Sequence, residues 1–142
     1  MRFWDSSAIV PLFVKETASP EVEGLRAADP SITTWMMTRV EVLAAIARKK
    51  RERPEMVDLW NRAIHEVHEV ASRWIEIWDV DATRRHAERI VLDHPLRTAD
   101  ALQLAAAIVA ADGAPQSLEL VTLDGRLAEA ARREGFPVLG VR

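Results

Sequence analysis

The chain opens on MRFWD, an apolar run closed by an acid, followed by Ser6-Ser7 and then AIVPLFVKE. That order predicts a strand, a turn and a short helix, with Pro11 near the helix start, where a missing N–H costs least. Residues 19 to 28 carry a helical period, and the β-branched SITTW at 31 to 35 predicts a strand. A helix follows from about Met37 to Arg51, its apolar stripe running through Met36, Val40, Leu43 and Ala47 and leaving Glu41 at the edge. Pro54 restarts the chain for an amphipathic helix to about Ser72, and WIEIWDV predicts the next strand. Helices at 82–93, 98–111 and 125–134 then alternate with strands at LELVTL (118–123) and FPVLGV (136–141). Strands alternating with helices imply crossover connections and a parallel sheet covered on both faces. The expected class is α/β: one domain over residues 1–142, an α/β/α sandwich around a central, mainly parallel sheet. No internal repeat, low-complexity segment or linker divides it.

Composition narrows the functions open to such a fold. Apolar residues make up 49% and charged residues 29%, a globular balance. Acidic residues outnumber basic ones 22 to 19, which excludes a bulk polycation, so contact with nucleic acid requires a local patch or a bound metal. The absence of cysteine excludes disulfides and thiolate zinc sites and fits a reducing compartment. No apolar run reaches the roughly 18 residues of a membrane helix, and Asp5 interrupts the N-terminus before a signal-peptide core forms. A soluble, cytoplasmic protein with no membrane partner is expected.

Four acids stand in awkward places. Asp5 ends the first strand and Asp124 ends LELVTL; in parallel sheets, ligands sit beyond the carboxyl ends of the strands. Glu41 is the lone charge in VEVLAAIA, and Asp100 opens a helix that from Ala99 to Ala111 is otherwise apolar apart from Gln103. Each acid has a purely structural explanation. Asp5 caps a helix, Asp100 favours a helix dipole, Asp124-Gly125 makes a turn, and Glu41 reaches solvent. Taken together these explanations weaken, because carboxylates in apolar settings are rarely buried unpartnered, and no Lys or Arg lies within these stretches. Two carboxylates about 4 Å apart repel by roughly 1–4 kcal/mol between water-like and surface-like dielectrics. A cluster of them calls for a cation, and hard oxygen donors select Mg²⁺ or Mn²⁺ over zinc.

The segments DSSA (5–8), TRVEVLAAI around Glu41, PLRTADALQLAAA around Asp100 and VTLDGRLAEAARREGF around Asp124 together resemble the PIN-domain ribonucleases, especially the VapC-type toxins. The resemblance runs in the right order over nearly the whole chain, with residues 53 to 90 contributing least. It implies a Mg²⁺- or Mn²⁺-dependent endoribonuclease whose metal-binding and catalytic set is Asp5, Glu41, Asp100 and Asp124. Ser7 and Thr122 resemble family hydroxyls that orient the acids or a metal-bound water. It further implies RNA as substrate, a cognate antitoxin, a homodimer, and products with a 5′-phosphate and a 3′-hydroxyl. Bound metal would turn a field that repels phosphate into one that attracts it. In the basic run ARKKRER, Lys49, Lys50 and Arg51 are candidate RNA-backbone contacts, as are Arg97, Arg84 and Arg85, although cations also offset a helix dipole there. Ile9, Leu12, Phe13 and Leu25 are candidates for an interface or for the core.

Other signals point elsewhere. HEVHE (65–69) lacks the zincin spacing and reads as a solvated helix face, and His86 and His94 read as surface residues. DVDAT (79–83) matches the start of haloacid-dehalogenase-type phosphatases, with Asp79 as nucleophile, or else Asp81 caps the following helix. That phosphatase is the alternative enzyme, and a non-catalytic binding module the alternative of another class. Trp4 and Trp35 are expected in the core, while Trp60, Trp74 and Trp78 are open to core, interface or base stacking.

Overall fold

Each strand of this protein is two or three residues long, and the helices carry most of the chain. The computed structural model describes residues 1–141. Strand β1 (Arg2–Trp4) leads into α1 (Ser6–Phe13) and α2 (Ser19–Ala28), and β2 (Thr33–Trp35) into α3 (Thr38–Glu52). A 3₁₀ turn at Pro54–Met56 precedes α4 (Val57–Ala71), followed by β3 (Ile75–Ile77), α5 (Val80–Asp93) and α6 (Thr98–Ala111). A second 3₁₀ turn (Pro115–Ser117) precedes β4 (Glu119–Val121), α7 (Gly125–Arg133) and β5 (Val138–Leu139). The strands form one parallel sheet in the order β3-β2-β1-β4-β5. The chain thus builds outward from β1 on one side, then crosses to its other side, and the crevice between the ends of β1 and β4 is the switch point where ligands bind in such sheets.

Alternation along the strands builds the two layers. Phe3 and Leu120 are paired across β1 and β4 and bury on one face with α5, α6 and α7. Trp4 and Val121, the next pair, bury on the other face with residues of α1, α2, α3 and α4. Full burial of Leu104, Leu120 and Leu127 contributes roughly 1.5–3 kcal/mol each. Helix α6 is buried through Ala101, Leu104, Ala105, Ala106 and Ala107. Alanine is the strongest helix former, and its small side chain suits a helix packed closely on a sheet. Among the described residues, no helix is long and apolar enough to cross a membrane.

Several expectations are corrected. Ser6-Ser7 is the first turn of α1, because Asp5 supplies the cap, and Pro11 therefore lies in the second turn. The buried face of α3 is Thr38, Val42 and Ile46, with Val40 54% exposed, since α3 packs on α1 and α4 through that face. WIEIWDV is a strand only over Ile75–Ile77: Asp79 accepts from Ala82 N at 3.0 Å and starts α5, leaving Trp78 exposed. Asp79, not Asp81, is that cap; Asp81 is exposed and lies 3.7 Å from Arg84. The His94 side chain is buried rather than at the surface, its Nε2 2.8 Å from Glu134 Oε1, while Arg89 holds Glu134 at 2.8 and 3.1 Å. Ile9 is fully buried, and Leu12, Phe13 and Leu25 pack against the same core. Trp4, Trp35, Trp60 and Trp74 are all buried.

Beside the crevice, Gly140 adopts φ +96°, and a Cβ there would meet the backbone oxygen of Thr122 at 2.6 Å. Thr122 in turn donates its N–H to Leu139 O at 3.1 Å. Gly140→Ala combines a left-handed backbone with a backbone clash, so denaturant titration is expected to show a loss of roughly 1–3 kcal/mol of stability.

Candidate active site

Asp5 is 2% exposed at the end of β1, where its N–H bonds Val121 O at 3.0 Å and ties it to the end of β4. Its Oδ2 accepts hydrogen bonds from the Ser7 hydroxyl, from Ser7 N at 3.3 Å and from Thr122 Oγ1 at 2.8 Å. The same hydroxyls accept backbone N–H groups of the next loop, Leu123 N on Ser7 Oγ at 2.9 Å and Asp124 N on Thr122 Oγ1 at 3.0 Å. Ser7 and Thr122 thus join the β1–α1 and β4–α7 junctions around one carboxylate. Asp5 both caps α1 and lines the cleft, so the capping explanation and a place at the candidate site are compatible.

The other three acids arrive from separate elements. Glu41 is half-buried on α3, with Oε1 accepting from Gln103 Nε2 at 2.8 Å and Oε2 from Ser6 Oγ at 3.3 Å. Asp100 lies in the first turn of α6, and Asp124 caps α7 by accepting from Arg126 N at 2.8 Å and Leu127 N at 3.0 Å. All four line one cleft of about 770 Å³, together with Ser6 and Ser7. Asp100 and Asp124 also border an adjoining cleft of about 680 Å³.

None of the four carboxylates has a Lys, Arg or His ion-pair partner among the described residues. Burial pushes the Asp5 carboxyl upward against the hydrogen bonds of Ser7 and Thr122, with repulsion from Asp124 adding to it. Burial, then the charge of Asp5, raises Glu41 to about 7. Burial, then Asp124 and Asp5, raises Asp100, while Arg97 opposes the shift.

The donor set is all oxygen, which suits Mg²⁺ or Mn²⁺ and excludes a soft-ligand site. Among the described residues, no three His, Cys, Asp or Glu side chains are arranged to hold a metal ion by themselves. Magnesium fits this arrangement, because it keeps several waters and binds through one or two carboxylates rather than a closed protein cage.

The cleft also has basic walls. Arg48, Lys49 and Arg51 of α3 line it on one side, and Arg97 belongs to both clefts. Lys49 is paired with Glu16 at 2.9 Å, and Lys50 turns away to Asn61 at 2.9 Å, outside the cleft lining. Arg84 and Arg85 likewise lie outside it. Ser6 and Arg126 also line the clefts with no signal in the sequence, Arg48 belongs to the basic run ARKKRER, and Gln103, which touches Glu41 rather than lining the cleft, stands out as a polar residue three positions after Asp100 in an apolar helix. The remaining motifs stay apart: Asp79 is an exposed cap, and His65 and His68 are exposed on α4.

An open parallel α/β sheet with an acidic crevice at its switch point is a doubly wound fold, the class in which ligands bind at that crevice. The PIN domain family matches residues 2–133, and the chain belongs to that family. PIN domains are typically metal-dependent nucleases, which supports a hydrolase. Among solved structures, the chain is similar in fold to a toxin-antitoxin complex from Klebsiella pneumoniae, with a TM-score of 0.59 and 20% identity over 100% of this chain and 96% of that one. No curated protein matches the chain.

In the metal-free protein the raised carboxyls reverse the usual pH dependence. Folded Glu41 keeps its proton up to about 7, whereas unfolded Glu loses it near 4.5, so its contribution falls as pH rises through that window. In EDTA, Glu41→Gln is expected to melt higher than the parent at pH 8 and to lose that advantage at pH 4.5, as read by thermal denaturation.

Proposed function

We propose that the protein is a Mg²⁺- or Mn²⁺-dependent endoribonuclease that hydrolyses RNA phosphodiesters, the toxin of a toxin–antitoxin pair acting in the cytoplasm. The observation that carries this reading is the convergence of Asp5, Glu41, Asp100 and Asp124, without cationic ion-pair partners among the described residues, on one cleft flanked by arginines. RNA as substrate follows the resemblance of the PLRTADALQLAAA and VTLDGRLAEAARREGF segments. An antitoxin partner follows the same resemblance and the likeness to the Klebsiella complex. A homodimer rests on the resemblance alone.

Asp5, Glu41, Asp100 and Asp124 are the set from which one or two carboxylates would hold the metal, which when bound supplies Lewis-acid stabilisation of a phosphate and a more acidic water. Ser7 and Thr122 hold Asp5 in one orientation by donating to Oδ2, so the least exposed carboxylate of the set does not turn. Arg48 and Arg51 on one side, and Arg97 and Arg126 on the other, place positive charge along the path a sugar–phosphate backbone would follow through the two clefts. Contacts on both sides of the acids suit cleavage within a strand.

The direct test is cleavage of a mixed, end-labelled RNA pool with Mg²⁺, Mn²⁺ or EDTA. Cleavage is expected only with metal, and Asp100→Asn should reduce it by about a hundredfold or more, the scale of losing one electrostatic contact at a reacting centre. Cleavage that persists in EDTA, or in the variant, would overturn the assignment. Arg51→Ala and Arg126→Ala, each in the Asp100→Asn background, are expected to reduce the slope of log affinity against log salt for single-stranded RNA by about 0.7.

A further inference from the structure

Gln103 is a fully buried amide in a helix that is otherwise apolar on its buried positions. Its nitrogen faces Glu41 and donates to Oε1 at 2.8 Å. The second N–H reaches Thr38 Oγ1 at 2.9 Å, and the Thr38 hydroxyl lies 3.2 Å from Gln103 Oε1. On the far side of Glu41, Ser6 Oγ stands 3.3 Å from Oε2 and 3.4 Å from Asp5 Oδ1. A continuous polar chain therefore runs Thr38–Gln103–Glu41–Ser6–Asp5 and links α3, α6 and the end of β1.

We infer that Gln103 is a positioning residue of the nuclease site, its amide fixing the Glu41 carboxylate by Oε1 and so turning Oε2 towards Ser6 and Asp5. The inference rests on the reading of Glu41 as part of the metal-binding set. Thr38, one turn before Glu41 on α3 and itself fully buried, orients the amide. A Gln103 that merely satisfied Thr38 would need one donor; the geometry spends the other on an acid. Without it Glu41 keeps its place on the helix but loses the neutral donor that selects one rotamer, and partners that orient a metal-binding carboxylate typically set metal affinity by 10–100-fold.

The test is Mn²⁺ affinity measured by calorimetry on the full chain, for the parent, Glu41→Gln, Gln103→Met and the double variant. Methionine fills a similar unbranched volume without a donor. Gln103→Met is expected to weaken Mn²⁺ binding about tenfold. Because Gln103 acts through Glu41, the double variant is expected to bind no worse than Glu41→Gln alone. Parent-like affinity of Gln103→Met, or losses that multiply in the double variant, would overturn the inference while leaving the nuclease reading intact. A parent that binds no Mn²⁺ would overturn both. Should Gln103→Met fail to fold, Thr38→Val releases the amide while keeping Glu41 and Gln103, and is expected to weaken Mn²⁺ in the same direction; parent-like affinity there counts against the inference.

Discussion

A carboxylate buried to 2% exposure with no ion-pair partner among the described residues must be held by hydrogen-bond donors, and at Asp5 those donors organise the molecule around them. Its backbone N–H extends the β1–β4 pairing by one rung, and its side chain starts α1. Ser7 and Thr122 donate to it and accept from the β4–α7 loop, so the two chain segments flanking the switch point are joined through one side chain. Gly140 lets β5 close on Thr122 from the other side. The local demands of a cap, a sheet edge and a charged site are thus met by a single acid.

The clustered acids are arranged against stability when no cation is bound. Burial and mutual repulsion raise Asp5, Glu41 and Asp100 alike; amide and hydroxyl donors oppose this at Asp5 and Glu41, and Arg97 opposes it at Asp100, without removing it. The fold compensates elsewhere, through two apolar layers that meet the sheet on opposite faces. A site that disfavours its own empty state favours whatever cation or cationic partner relieves it.

Legibility in the sequence followed the range of the interaction. Helix α6 was read at its true bounds because its apolar run is bracketed by polar residues and an Asp112-Gly113 stop. Asp5, Asp100 and Asp124 were legible as acids at element ends, where capping and ligand binding both place them. Strands were read too long because an apolar run measures burial, while a strand ends where its ladder ends: Thr122 is buried yet lies outside β4. The face of α3 is ambiguous in the sequence because Val40 and Ala47 offer a stripe as apolar as the one through Val42 and Ile46, and only packing against α1 and α4 decides between them. The pairing of Gln103 with Glu41 spans 62 positions and depends on how α6 approaches α3, which no local pattern records.

The alanines of α6 act as a gauge of distance. Ala101 and Ala105 are fully buried on the helix that carries Asp100 and Gln103. The close approach of this helix to its neighbours is therefore set by methyl groups, and a larger side chain at either position would shift the helix, because packed interiors shift rather than compress. Asp100 and Gln103 would be carried with it, away from Asp5 and Glu41. Core volume and site registration are, in this protein, the same variable: a substitution that touches no acid and removes no hydrogen bond can still put the acids out of alignment.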